Sequence, residues 1–194
     1  MALIVIDPGH GGSDPGKVGP AGTFEKTYAL DVGKRTAGIL NPDHRAEMTR
    51  RDDTFVELAD RPATAKRLKA DVFVSIHFNS NGPSAQGTET YKHPDSTSED
   101  TRLAEAVQDR VVAATGHNDR GVKEANFVVI RPTLHYVDTR SCLVEVSFLS
   151  NAAEETRLGD PDYRQEIAQA IADGVEDFLA EDRKAGRADR TRKP

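Results

Sequence analysis

The chain has 194 residues, of which 37% are hydrophobic and 30% charged, and its formal net charge is −6. This length fits one domain with a sizeable core, and the acidic balance argues against nucleic acid as a partner, because phosphate binding depends on basic surface. No apolar run approaches the ~20 residues of a membrane span, so we expect no membrane insertion.

The first half of the chain predicts strands that alternate with helices. The predicted elements, in chain order, are a strand at 3–6, a helix over 25–40, a strand at 46–49, a helix over 58–69 and a strand over 71–77. The first strand ends in a turn signature followed by His10, and the last one ends on His77. Small and apolar residues at helical spacing place Glu25 in the first turn of its helix.

The second half continues the same alternation. A loop over 79–86 precedes a strand at 87–91, a helix around 103–114, strands at 127–130 and 142–146, and a final helix over 163–179. The one cysteine, Cys142, lies in the last apolar run, which predicts a small core residue. Beyond Glu181 the sequence has no core-forming residue, so we expect a single domain over 1–181 and a charged, flexible tail over 182–194.

This pattern predicts the α/β class. We expect a single domain with a mixed, mostly parallel twisted sheet of about six strands and helices on both faces. Functional sites in such folds lie at the carboxyl ends of the strands. His10, His77 and Glu145 all lie at or near such ends, although one sequence does not give their order in space.

His10, Glu25 and His77 are candidate ligands of one zinc ion. Two imidazoles and a carboxylate form a catalytic zinc site that leaves the fourth tetrahedral position open to water, which indicates a hydrolase. Each residue alone also has a simpler interpretation, since a histidine at a strand end can be structural and Glu25 can favour the helix dipole. Asp7 either orients a ligand imidazole or forms the turn after the strand.

Glu145 is a charged residue in the middle of an apolar strand. An unpaired charge is costly to bury, so either a function or a salt bridge must explain it, unless the residue faces solvent. The remaining histidines carry weaker signals. Three of them lie in polar turns and are predicted to be solvated surface residues: His44, His93 and His117. The role of His135, in an irregular stretch, stays open.

Several motifs, in order, carry a family resemblance. They are IVIDPGHGG at 4–12, EK at 25–26, TRRD at 49–52, VSIHFN at 74–79, GTETY at 87–91, RGVKEAN at 120–126 and LVEVSFLSN at 143–151. Together they resemble the zinc-dependent N-acetylmuramoyl-L-alanine amidases from residue 3 to about residue 179. Many ordered motifs are more specific than any one of them.

The resemblance implies a peptidoglycan hydrolase with one bound Zn²⁺, acting on the amide between N-acetylmuramic acid and the L-alanine of the stem peptide. We also expect the protein to be a monomer. By this resemblance, His10, Glu25 and His77 occupy the ligand positions and Glu145 that of the catalytic carboxylate. Two alternatives remain: another zinc hydrolase, such as a carboxypeptidase or deacetylase, or a catalytically silent wall-binding domain.

Substrate contacts and biological setting are less well defined by the sequence. Asn79, Asn126 and Arg131 are candidates to bind the muramyl acetamido group or the stem peptide, and the 131–138 segment departs from the family pattern. The first residues lack a signal-peptide pattern. We therefore expect a phage endolysin, made in the host cytoplasm and released through a membrane lesion, or else an excised domain of an exported autolysin.

Overall fold

A six-stranded sheet lies at the centre of the structure. The computed structural model describes residues 1–190, with side chains described through residue 184. The strands are β1 (Leu3–Pro8), β2 (Arg45–Met48), β3 (Val72–Asn79), β4 (Thr88–Lys92), β5 (Asp119–Glu124) and β6 (Arg140–Phe148). They lie in the order β2-β1-β3-β6-β4-β5, and only the β4–β6 pair is antiparallel among these strands. The predicted α/β fold with a mixed, mostly parallel sheet is confirmed.

Helices cover both faces of this sheet. They are α1 (Glu25–Leu40), α2 (Asp60–Leu68), α3 (Ser98–Thr115), α4 (Ala152–Leu158) and α5 (Pro161–Arg190). Successive strand residues point to opposite faces, so Ile4 packs with α1, α3 and α5, whereas Val5 packs with α2. Cys142 is fully buried in the first of these two clusters, which confirms its predicted core position. No helix in the described part of the chain is long and apolar enough to cross a membrane.

Two elements differ from the prediction: the strand at one edge of the sheet and a short helix after β6. The predicted strand over 127–130 is a 3-10 helix, Val128–Ile130, and the edge strand is β5 instead. β5 pairs with one neighbour and is largely exposed or half-buried, so its sequence lacks apolar alternation. The seven-residue helix α4 was not predicted at all.

The final helix continues past the predicted end of the domain. α5 extends to Arg190, so the helix includes residues 182–190. Residues 191–194 lie outside the described residues. A flexible tail over 182–194 therefore stays a prediction.

Candidate active site

The strand register brings the predicted site residues to one edge of the sheet. β1, β3 and β6 are parallel neighbours, with Pro8 opposite Ile76 and His77 opposite Glu145. Residues directly opposite each other project to the same face of a sheet, so His77 and Glu145 are side-chain neighbours. His10 follows two residues after β1 ends, at the same edge.

Three side chains converge there in a metal-binding geometry. Glu25 Oε2 lies 3.0 Å from Nε2 of His10, and Oε1 lies 2.9 Å from Nδ1 of His77. The two imidazole rings meet edge to face, with centroids 4.9 Å apart. One donor atom from each residue lies within 4.8 Å of the other two. This donor set fits a zinc ion with one coordination position left open.

Glu25 is an almost fully buried carboxylate at the start of α1. Its oxygens also accept hydrogen bonds from the backbone N–H groups of Phe78, at 3.0 Å, and Lys17, at 2.8 Å. Burial alone would raise the pKa of Glu25, but the hydrogen bonds with His10 and His77 outweigh it and hold the pKa far below its usual range. The side chain is therefore charged, as a metal ligand must be.

Asp14 orients the His10 imidazole. Its Oδ2 lies 2.7 Å from Nδ1 of His10, which leaves Nε2 facing Glu25. Carboxylates commonly fix ligand histidines in this way. Asp7, not Asp14, was the predicted candidate for this task, because Asp14 lies in a Gly-rich turn and resembles an ordinary loop residue.

Replacing Asp14 by Ala should weaken zinc binding by about tenfold to a hundredfold, because the His10 ring loses its orienting acceptor. Competition with a chromogenic chelator measures this affinity. Asp14 is partly exposed, so the free energy of unfolding of the metal-free protein should change little. Asp43→Ala, at an exposed residue, is the matched control. An affinity equal to that of the unaltered protein would exclude an orienting role for Asp14.

Two glycines make the close approach of the imidazoles possible. A Cβ at Gly9 would lie 2.3 Å from Cε1 of His77, and a Cβ at Gly16 would lie 2.6 Å from Cδ2 of His10. Gly16 also adopts a φ of +68°, which favours glycine. The glycines of this segment therefore provide space for the donor set.

Asp7 has a different role from both that the sequence suggested. It lies inside β1, fully buried, and does not contact an imidazole among the described residues. Its carboxylate accepts hydrogen bonds from Thr49 Oγ1 at 2.6 Å, Ser75 Oγ at 2.8 Å and Arg61 Nη1 at 3.0 Å. Both the imidazole-orienting role and the turn-forming role are wrong, and Asp7 forms a buried ion pair with Arg61.

Two buried arginines hold the backbone that leads into His10. Arg61 donates to the carbonyl oxygens of Pro8, at 2.9 Å, and His10, at 2.8 Å. Arg50 donates to those of Pro8, at 3.0 Å, and Gly9, at 2.8 Å. These bonds stabilise His10 in a left-handed conformation with a φ of 61°, which is uncommon for a residue with a side chain. This role was not predicted, because both arginines lie in polar stretches of the sequence.

The loop before Glu25 is anchored from α4. Glu155, which is nearly buried, accepts hydrogen bonds from the backbone N–H groups of Ala21, at 2.7 Å, and Thr23, at 3.2 Å. Gly19 lies against the same carboxylate, where a Cβ would be 2.3 Å from Oε1. The unpredicted helix α4 thus contributes to the position of the segment that ends at Glu25.

Glu145 has no salt bridge among the described side chains, and its Oε2 is buried without a hydrogen-bond partner there. Burial raises the pKa of Glu145 well above its usual range, and the nearby carboxylates of Glu25 and Glu89 add to the effect. Of the explanations that the sequence left open, the salt bridge is absent among these residues, and a solvated position does not account for the buried Oε2 of this half-buried residue. A functional role stays a prediction.

Glu89 lies opposite Glu145 in the antiparallel β4–β6 pair. It is 3% exposed, and four side chains from three strands donate to it: Asn79 Nδ2 at 2.6 Å, Tyr91 OH at 2.7 Å, Arg120 Nε at 2.7 Å and Lys123 Nζ. Burial would raise the pKa of Glu89, but these bonds outweigh it and lower the pKa to about 2. The carboxylate is therefore charged beside Glu145.

The predicted substrate-binding residues form two separate sets of contacts. Asn79 donates to Glu89, as described above. Asn126 Oδ1 accepts from Arg131 Nη2 at 3.0 Å and lies 2.9 Å from Nε2 of His93. Their roles in substrate binding remain predictions.

Three histidines that were predicted to be solvated are buried instead. Nδ1 of His44 and Nδ1 of His93 each accept a hydrogen bond from a backbone N–H group, and Nε2 of His44 and Nε2 of His117 each lie beside a carboxylate, so the polar turns around them fold back onto the protein. Their exposed fractions are 5% for His44, 4% for His93 and 9% for His117. The surface prediction is wrong for all three.

His135 is a buried structural residue in this fold. Its Nε2 lies 2.8 Å from the Val129 carbonyl oxygen, and its ring packs edge to face on Phe73 with centroids 4.8 Å apart. Burial lowers the pKa of His135, which favours the neutral imidazole. These contacts account for a histidine whose role the sequence left open.

Two imidazoles from the ends of adjacent parallel strands lie together with a buried carboxylate from the start of a helix. This combination is typical of metal-dependent hydrolases. The profile of the N-acetylmuramoyl-L-alanine amidase family, Amidase_3, matches residues 4–177. The chain belongs to this enzyme family, and the enzyme class that the motifs implied is confirmed.

Named relatives extend this result. The chain is 41% identical over 177 residues to the N-acetylmuramoyl-L-alanine amidase LytC of Bacillus subtilis, covering 89% of this chain but 34% of LytC. It is 31% identical over 191 residues to an endolysin of Bacillus phage SPP1, covering 95% of this chain and 68% of the endolysin. The structure superposes on the catalytic domain of CwlV, an amidase from Bacillus (Paenibacillus) polymyxa var. colistinus, with a TM-score of 0.86 and 42% identity, covering 93% of this chain and 99% of that domain.

Proposed function

We propose that this chain is a zinc-dependent peptidoglycan amidase that cleaves the bond between N-acetylmuramic acid and the L-alanine of the stem peptide. The convergence of His10, Glu25 and His77, with Glu145 in register beside His77, is the observation on which the proposal rests. LytC and CwlV are N-acetylmuramoyl-L-alanine amidases, which supports this bond over those cleaved by a carboxypeptidase or deacetylase.

The donor set fits one zinc ion. Glu25 is charged, and the second nitrogen of His10 is already fixed by Asp14. Zn²⁺ held by His10, Glu25 and His77 would polarise the scissile carbonyl and lower the pKa of water toward ~7. The backbone bonds to Glu25 and to the segment before His10 keep these donors in place.

Glu145 is the proposed proton carrier. Amide hydrolysis needs a proton to be removed from the attacking water and a proton to be delivered to the departing nitrogen, because an amine anion is a poor leaving group. Glu145 takes the proton from water and then donates it to the L-alanine nitrogen. Burial raises the pKa of Glu145 in the metal-free protein, whereas a bound Zn²⁺ would lower it. A carboxyl group under both influences can accept a proton in the first step and donate it in the second.

The remaining assignments follow from this activity. Asn79, Asn126 and Arg131 are proposed to bind the muramyl acetamido group or the stem peptide. Residues 1–181 form the proposed catalytic domain, followed by the charged tail over 182–194. The enzyme is proposed to act as a monomer on the cell wall, as a phage endolysin or as the catalytic part of an autolysin. The relatives of both kinds support each setting.

Digestion of purified sacculi, with and without a chelator, tests the reaction. We expect zinc-loaded protein to release free L-alanine amino termini together with intact lactyl-bearing glycans, both visible by mass spectrometry, and the chelator to abolish the release. Readdition of Zn²⁺ is the control. New reducing ends without free L-alanine would indicate a glycosidase, and other amino termini a different peptidase. No soluble product from the zinc-loaded protein would indicate a silent domain.

A further inference from the structure

Two cationic side chains, Arg120 and Lys123, lie next to the candidate active site, on the side of Glu145 away from His77. The register places His77, Glu145 and Glu89 in one row across β3, β6 and β4. Arg120 and Lys123, on the edge strand β5, both contact Glu89. Because neighbouring strands are about 4.8 Å apart and β5 is the second strand from β6, this pair begins roughly 10 Å from Glu145.

The Arg120 side chain is held in one position. Its Nε donates to Glu89 at 2.7 Å, and its guanidinium carbon lies 4.9 Å from the centre of the Phe148 ring. Gly87 leaves room for its stem, since a Cβ there would lie 2.6 Å from Arg120 Cδ. Among the residues with described side chains, the two Nη atoms of Arg120 have no hydrogen-bond acceptor. A fixed guanidinium with free terminal N–H groups is suited to bind a carboxylate with two hydrogen bonds.

Glu89, Arg120 and Lys123 together carry one excess positive charge. Glu89 contributes one negative charge, and Arg120 and Lys123 contribute two positive ones. The carboxylate is 4% exposed, whereas the two cationic side chains are 38% and 36% exposed. The two cationic side chains are therefore accessible to solvent and ligands, while the buried Glu89 carboxylate holds them next to each other.

We propose that Arg120 and Lys123 bind a free carboxylate of the stem peptide and thereby select acidic over amidated peptidoglycan. This proposal rests on the proposed amidase function. An extended peptide spans about 3.3 to 3.6 Å per residue. With the L-alanine nitrogen at Glu145, a group at roughly 10 Å belongs to the second or third residue of the stem. A carboxylate on either residue has the same binding chemistry, and the substrates below separate the two.

The test uses four muramyl tripeptides of defined sequence. One has free carboxylates on residues two and three, two carry a single amide at one of these positions, and one carries both amides. The release of the tripeptide by the zinc-loaded enzyme gives kcat/KM for each substrate. We expect amidation at one position to lower kcat/KM by about tenfold to a hundredfold, as for the loss of a hydrogen-bonded charge pair.

Arg120→Gln should lower kcat/KM on the fully acidic substrate by a similar factor. It should cause little further loss on the substrate that is amidated at the sensitive position, because the two changes remove the same contact. Lys123→Gln repeats the test at a half-exposed side chain, in case the first variant does not fold. Arg110→Gln, at an exposed residue on α3, is the control and should behave like the unaltered enzyme.

Two results would overturn the proposal. One is an unaltered enzyme that cleaves all four substrates equally well. The other is a pair of variants that lose the same factor on acidic and amidated substrates, which would indicate a structural role for the cations. Failure of the amidase function gives a third, distinguishable result, in which the unaltered enzyme cleaves none of the four.

Discussion

Replacing Glu145 by Gln should lower kcat for amide hydrolysis by about a hundredfold to ten-thousandfold, the usual contribution of general acid–base catalysis. Gln has nearly the same shape but does not accept or deliver the proton. Initial rates of L-alanine release from a muramyl peptide measure the loss. Zinc content should be unchanged, since Glu145 is not in the donor set.

The same variant separates catalysis from stability. Among the described side chains, one oxygen of Glu145 is buried without a hydrogen-bond partner, and Glu145 lies near the charged Glu25 and Glu89. Removing its charge should therefore leave the free energy of unfolding unchanged or raised. Chemical unfolding measures this quantity. Glu57→Gln, at an exposed residue, is the matched control. A Glu145 variant with normal turnover would rule out the proposed proton transfer.

Replacing Arg61 by Met should destabilise the fold by about 3 to 5 kcal/mol, because it leaves Asp7 charged, buried and without its cationic partner. The carbonyl oxygens of Pro8 and His10 also lose donors. Chemical unfolding of the metal-free protein measures the loss without a contribution from zinc binding. The affinity for zinc should fall as well, since His10 is no longer held in its left-handed conformation.

A control and a second variant identify the cause. Arg67→Met, at an exposed residue of the same helix, should change the free energy of unfolding by less than about 0.5 kcal/mol. Adding Asp7→Asn to Arg61→Met should recover part of the loss, because the uncompensated charge is then removed. If Arg61→Met costs no more than the Arg67 control, the buried pair does not stabilise this edge of the sheet.

The sequence predicts the donor set because strand ends are a local property. His10 and His77 each follow an apolar run, and parallel strands bring their carboxyl ends together whatever the order of the strands. Helix α1 has the same bounds in the sequence-based prediction and in the structure, since its apolar spacing is regular. Glu145 was predicted to be a functional residue for a related local reason, because it is a charged residue within an apolar strand.

The supporting contacts could not be predicted because they join residues that are distant in the chain and carry no periodic signal. Asp7 and Arg61 are 54 positions apart, and Ala21 and Glu155 are 134 apart. Arginines and glutamates in polar stretches resemble solvated residues until the fold brings them together. The edge strand β5 was missed for a similar reason, because a largely solvent-facing strand needs no apolar alternation.

The single antiparallel strand pair in the described sheet, β4–β6, also bears on how this enzyme can diversify. Because β4 runs against β6, Thr88 at its start hydrogen-bonds to the Val146 carbonyl oxygen, at the same edge as the donor atoms. The connection over residues 80–87 therefore lies at the same edge of the sheet as the candidate donor set, to which it contributes no residue. Connecting loops tolerate insertions far better than strands do. Insertions and deletions in this loop would therefore change which cell-wall substrates fit beside the donor set without altering the donor set itself.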